Sequence, residues 1–289
     1  MPESPDQQTG TVAVIGAGTM GHGIAQVSAM AGYHVTLYDP QPGAVEKGLA
    51  RIGENLDKGV ERGKVTAADA AATRARLSPA DAVKDAVKDA WLVIEAAPEQ
   101  MEIKERIFAD VYGFAPEGSV LASNTSSLSV TRIAAATGAP ERVVGLHFFN
   151  PVHIMKLLEV VRGRDTSEAT VAAALGYARA IGKEPIVVTD TPGFASSRLG
   201  VTLGLEAIRM VEQGVASPED IDKAMELGYN HPMGPLKLTD VVGLDVRLGI
   251  AEYLHRELGG DQYAPPKLLR TMVAEGKLGK KSGEGFYKW

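Results

Sequence analysis

The sequence predicts a doubly wound α/β domain, with a mostly parallel sheet and an inserted helix pair, followed by an all-helical C-terminal domain. Three observations predict it. Apolar, β-branched runs alternate with longer helical patterns up to about residue 190. The turn after the first of these runs is glycine-rich. From Ala195 onward the text holds helical periodicity with Gly and Pro stops and no convincing strand.

Taken in order, the opening MPESPDQQTG is polar, with Pro, Gly and acids where a signal peptide needs a basic and then an apolar stretch, and reads as a short frayed tail. TVAVIG, starting at Thr11, and WLVIEAA are unbroken apolar runs, as expected of strands buried on both faces. HVTLYD, SVLAS, RVVGLHFF, KLLEVV and EPIVVTD complete the strands. Between Asp39 and Arg76 lie 36 residues with helical spacing, longer than one crossover requires, which predicts a helix pair with a charged solvent face. The hinge-like TPG at 191–193 sets the expected boundary between domains of residues 1–190 and 191–289. In the second, Leu199, Leu203, Ile208 and Val211 form an apolar stripe that so small a domain can hardly bury alone, predicting a two-fold homodimer.

Composition narrows the function. The 30 Lys and Arg against 36 Asp and Glu give a net charge of −6, and 45% hydrophobic with 23% charged residues is the balance of a globular chain, not a disordered one. The absence of cysteine excludes disulfide scaffolds, thiolate metal sites, Fe–S clusters and cysteine nucleophiles, and no metal site is expected. A mildly acidic chain without a long run of like charge argues against general nucleic-acid binding. No stretch approaches the roughly 20 apolar residues of a membrane helix. The expectation is a cytoplasmic protein.

Gly16, Gly18 and Gly21 form GAGTMG between the strand TVAVI and a helical pattern ending at Gly32. Such glycines allow a tight turn, close backbone approach to a pyrophosphate and close helix–strand packing, which makes Gly16, Ala17, Gly18, Thr19, Met20 and Gly21 a candidate dinucleotide loop of the Rossmann type. The next strand ends in Asp39, 18 residues after Gly21. A carboxylate there accepts the adenosine ribose hydroxyls and repels a 2′-phosphate, and the following PQPG has no Arg, so NAD is expected over NADP. His22 reads as a helix N-terminal residue.

Two polar loops follow strands: SNTSS at 123–127 and HFFNP at 147–151. In doubly wound sheets ligands bind beyond the carboxyl ends of strands, so both should open on the same crevice as the glycine loop. Glu159 stands twelve residues after His147 in the apolar KLLEVV, where an ionised carboxylate is costly unless paired. If that strand turns back beside HFF, Glu159 can hold one imidazole nitrogen and leave the other to face a C–O(H) group undergoing hydride transfer. Spacing alone leaves open a buried neutral histidine with a chance acidic neighbour.

Together GAGTMGHGIA, IEAAPEQMEIK, SNTSSLSV, GLHFFNPV, MKLLEVV, DTPGF, PMGPLKLTDVVGLDV and GKLGKKSGEGFYKW resemble the L-3-hydroxyacyl-CoA dehydrogenase family, most of all its bacterial 3-hydroxybutyryl-CoA dehydrogenases. The resemblance runs from Thr11 to Trp289. It implies NAD-dependent interconversion of (S)-3-hydroxyacyl-CoA and 3-oxoacyl-CoA, a step of fatty acid β-oxidation, with short chains favoured. His147 then matches the catalytic histidine and Glu159 its carboxylate partner. Ser126 matches the serine whose hydroxyl contacts the substrate's 3-oxygen and the cofactor region, and Asn150 a residue beside the nicotinamide. Glu99 and Lys104 match positions lining the nicotinamide ribose, and Lys281 a lysine reaching the cofactor from the C-terminal segment. Asn55 and Arg62 fall where the family contacts coenzyme A; Arg51, Lys58 and Lys64 add charge, although a basic helix face is more often simply solvated.

One position departs from the family. Fifty residues after His147, where an Asn amide usually helps to hold the substrate carbonyl, the chain has Ser197, which is shorter and lacks a second N–H. Two other readings remain at this stage: a sugar-acid (gulonate-type) dehydrogenase of the same fold, against which the basic helix pair and the GKKSGEGFYKW ending argue, and a non-catalytic NAD-binding protein.

Overall fold

The computed structural model describes residues 10–289, so the expected tail at residues 1–9 lies outside the described residues. These residues divide into two compact units, one ending at Asp190 and one spanning Thr191–Trp289. In the first, the elements run β1 (Thr11–Ile15), α1 (Gly21–Met30), β2 (His34–Tyr38), α2 (Ala44–Glu61), α3 (Ala67–Ala75), β3 (Leu77–Pro79), α4 (Val83–Val87), β4 (Ala90–Glu95), α5 (Met101–Phe114), β5 (Val120–Ser123), α6 (Val130–Ala134), β6 (Val143–Phe148), β7 (Leu157–Arg162), α7 (Glu168–Ala180) and β8 (Glu184–Thr189).

The eight strands form one sheet in the order β3-β2-β1-β4-β5-β6-β7-β8. All neighbours are parallel except β6 and β7, so β7 and β8 run against the other six. The parallel strands explain the unbroken apolar runs: Val12, Ala13 and Val14 of β1 and Leu92, Val93 and Ile94 of β4 are all buried. α2 and α3 are the inserted helix pair. β3 was not legible in the sequence, because three residues ending in Pro at the sheet edge give no alternation to read.

The second unit comprises α8 (Ser196–Glu212), α9 (Pro218–Tyr229), α10 (Pro235–Val242), α11 (Leu244–Leu258) and α12 (Lys267–Ala274) around a core that includes Leu205, Ile208, Leu236, Leu254 and Leu269. Two buried carboxylates organise it. Asp222 accepts the N–H groups of Leu236 and Lys237 at the start of α10 and the Tyr287 hydroxyl. Asp240 accepts the N–H groups of Phe286 and Tyr287 and the Trp289 indole. The PMGPLKLTD and GEGFYKW motifs are therefore two halves of one clasp.

The expected apolar stripe on α8 needs correction. Leu199 is 73% exposed and Leu203 37%, but Ile208 is fully buried and Val211 partly so, both within the core of their own unit. The stripe conflated two faces of the helix: residues 199 and 203 lie one turn apart, whereas 208 lies a further five residues on and has rotated inward. No helix among the described residues is long and apolar enough to cross a membrane.

Candidate active site

The glycine loop closes between β1 and α1. Gly16 has φ 108°, and a Cβ there would meet the Ala96 carbonyl oxygen at 2.6 Å; one at Gly21 would meet the Gly16 oxygen at 1.7 Å. These two glycines are required by the fold itself. Gly18 differs: a Cβ there would meet no protein atom within 4 Å, so its glycine leaves room for something outside the chain. α1 has no side-chain cap and no acid in its first turn, so its positive end is open to an anion.

Asp39, just past β2, accepts the Ala17 N–H at 2.8 Å through Oδ2 and the Gln41 N–H at 2.9 Å through Oδ1. The carboxylate thereby fixes the loop and retains a lone pair on each oxygen for a ribose diol. These features fit a bound NAD. His22, in the first turn of α1, has Nδ1 2.7 Å from the Gly18 oxygen and stays within the loop.

The antiparallel pairing of β6 and β7 sets His147 directly opposite Glu159. Nδ1 of His147 lies 2.6 Å from Oε2 of Glu159, and their side chains are 8% and 0% exposed. The Phe149 ring packs 4.5 Å from the imidazole, centroid to centroid. The Asn124 side chain accepts the Phe148 N–H at 3.0 Å and so ties the SNTSS loop to the histidine strand.

The SNTSS loop is held from below by Glu99. Its Oε1 accepts the Thr125 hydroxyl at 2.7 Å, the Ser126 N–H at 2.8 Å, the Ser126 hydroxyl at 3.1 Å and the Ser127 N–H at 3.2 Å. Burial opposes ionisation of Glu99, but the Lys104 ammonium and the hydrogen bonds from Thr125 and Ser126 outweigh it and hold the carboxyl below the usual glutamate range. Lys104 is 1% exposed, 3.4 Å from Glu99 and 2.7 Å from Glu95, which is equally buried. Glu95 is a functional residue that sequence reasoning missed; like Glu159, it is a carboxylate in an apolar strand, within WLVIEAA. Asn150 is exposed beyond β6.

On α2 and its C-cap, Arg51, Asn55, Lys58 and Arg62 recur at steps of four, three and four and share one stripe, while Glu54, Asp57 and Glu61 share the stripe beside it. Arg51, Lys58, Arg62 and Lys64 are all exposed. Asp57 is held by Arg74 of α3 at 2.6 Å, and the Asn55 amide donates to Gln26 of α1 at 3.1 Å. In the second unit, Ser197 is a partly exposed residue of the first turn of α8, which has no side-chain cap. Lys281 pairs with Asp245 at 2.5 Å.

Models of two domains match the chain: the 3-hydroxyacyl-CoA dehydrogenase NAD-binding domain over residues 11–191, and the C-terminal domain of the same family over residues 193–289. A probable 3-hydroxybutyryl-CoA dehydrogenase of Bacillus subtilis is 48% identical over 96% of both chains. A 3-hydroxyadipyl-CoA dehydrogenase of Escherichia coli is 43% identical over 96% of this chain and 59% of its own length. The crystal structure of an (S)-3-hydroxybutyryl-CoA dehydrogenase from Ralstonia eutropha superposes with a TM-score of 0.93 at 43% identity, covering 96% of this chain and 98% of that one.

Proposed function

The chain belongs to the 3-hydroxyacyl-CoA dehydrogenase family and is an NAD-dependent oxidoreductase interconverting 3-hydroxyacyl-CoA and 3-oxoacyl-CoA, and from that premise we propose that His147 and Glu159 are its acid–base pair. The direct register of the two residues and their 2.6 Å contact carry this reading. Bound NAD supplies the hydride acceptor. His147, held at Nδ1, takes the substrate's hydroxyl proton at Nε2 as C3 is oxidised, and returns it to the 3-oxygen in the reverse direction. Glu159 fixes the tautomer and stabilises the imidazolium that forms. Ser126 meets the 3-oxygen, and Asn150 lies beside the nicotinamide. Ser197 takes the place of the family's usual carbonyl-holding amide.

The glycine loop and Asp39 hold the adenosine half of NAD, while Glu99, Lys104 and Lys281 support the nicotinamide half. Asn55, Lys58 and Arg62 hold the coenzyme A portion, and short 3-hydroxyacyl chains, 3-hydroxybutyryl first, are the substrates. The protein works in the cytoplasm as a homodimer; the exposure of Leu199 and Leu203 supports the dimer, and light scattering at micromolar concentration should give the mass of two chains.

Nicotinamide absorbance tests the reading. NADH should be oxidised with acetoacetyl-CoA and left unchanged with free acetoacetate or, with NAD supplied, gulonate. Turnover of gulonate would make this a sugar-acid enzyme, and no turnover of any of them would leave a non-catalytic NAD-binding protein.

A further inference from the structure

The start and the middle of the loop that carries Ser126 lead to one buried carboxylate, while its far end, Ser129 to Thr131, is held by Asp190. Glu95, the last residue of β4, is 1% exposed in a strand whose other residues are apolar or small. Its Oε2 accepts the hydroxyl of Ser123, the last residue of β5, at 2.6 Å. Its Oε1 accepts the Ala97 N–H at 2.6 Å and the Lys104 ammonium at 2.7 Å. The same ammonium lies 3.4 Å from Oε2 of Glu99, whose other oxygen gathers Thr125, Ser126 and Ser127. The loop is thus tied to Glu95 directly at its start and through Lys104 and Glu99 along its length.

We propose that Glu95 is a positioning residue for hydride transfer, which fixes the Ser126 hydroxyl by anchoring two of the tethers of its loop, Ser123 and, through Lys104, Glu99. The inference rests on the role given to Ser126 above. Sequestering a carboxylate and an ammonium from water is costly before their attraction is counted, so such a pair is weak evidence for stability. It does impose geometry. A lone Glu99 at the rim could swing with solvent, whereas a Glu99 facing a fixed ammonium has one oxygen committed inward and the other held under the loop. The Ser126 hydroxyl and backbone N–H both rest on Glu99, at 3.1 and 2.8 Å, which fixes where the hydroxyl oxygen stands; turning about its C–O bond frees the proton for donation to the substrate's 3-oxygen. Displacement of a reacting group by about 1 Å can cost on the order of 100-fold in rate.

The test is a double-mutant cycle read by single-turnover oxidation of NADH with acetoacetyl-CoA. Glu95→Gln keeps the shape and removes the charge; with NADH saturating, it should slow hydride transfer by about 10- to 100-fold. In a Ser126→Ala background the same substitution should cost almost nothing more, because the group it positions is gone. A merely structural Glu95 would lower the rate equally in both backgrounds, and that additivity would overturn the proposal, as would an unchanged rate. Should Glu95→Gln fail to fold, Ser123→Ala, which deletes one tether and retains every charge, carries the same cycle with the same outcomes. Wild-type enzyme inactive on acetoacetyl-CoA would instead defeat the functional reading itself.

Discussion

His147 and Glu159 face each other across the one antiparallel junction of the sheet, with Nδ1 and Oε2 2.6 Å apart. The side-chain period of a strand is two, so a slip of one residue in this pairing would send the two groups to opposite faces. Leu158, Val160 and Val161, the neighbours of Glu159 along β7, are all fully buried. The carboxylate therefore sits in an apolar strand directly opposite the histidine, and the pair is built into the sheet rather than added on a loop.

Asp39 should decide the cofactor. Wild-type enzyme is expected to prefer NADH strongly over NADPH. Asp39→Ala should weaken NADH and narrow the gap, since it removes both a ribose acceptor and the repulsion of a 2′-phosphate. It should also cost some loop order, because Oδ2 holds the Ala17 N–H. Equal kcat/KM for the two cofactors in the unmutated enzyme would contradict the assignment.

The stripe Arg51–Asn55–Lys58–Arg62 should show itself in the substrate's KM. Arg62→Glu combined with Lys58→Glu is expected to raise KM for acetoacetyl-CoA severalfold, more at low salt, with KM for NADH nearly unchanged. Exposed charges act weakly and are screened, which sets this modest scale. Identical acyl-CoA kinetics in the variant would make the stripe a solvated face.

Ser197 is a partly exposed residue in the first turn of α8 and not its cap. If its hydroxyl serves the substrate carbonyl, Ser197→Ala should lower kcat, by up to about 100-fold for a donor aimed at developing charge. NADH binding should be spared, and Ser197→Asn should keep substantial activity. An alanine variant as fast as the parent would show that no donor acts from this position.

The readability of the sequence followed the physics of each feature. Strands buried on both faces, TVAVIG and WLVIEAA, announce themselves because apolar residues run on without alternation. The glycine loop was readable because Gly16 and Gly21 are imposed by close backbone contacts that no other residue tolerates. His147 and Glu159 were readable as a possibility, since a carboxylate in an apolar run demands a partner; the register that pairs them is a tertiary fact. Glu95 and Lys104 escaped as a pair because nothing in nine residues of sequence shows that both side chains turn into the same buried space. Ile208 was misplaced because helical spacing gives the angle between residues and not which face the core will take.

The central claim is that His147, oriented by Glu159, moves the proton. Single-turnover oxidation of NADH by acetoacetyl-CoA with the wild type, His147→Gln and Glu159→Gln, beside NADH binding by fluorescence, tests it most directly. His147→Gln should slow the step by about 10²- to 10⁴-fold, the range of a general acid or base, and Glu159→Gln should also slow it, with NADH affinity spared in both. Near-normal rates in both variants would contradict the account and move the chemistry to another group.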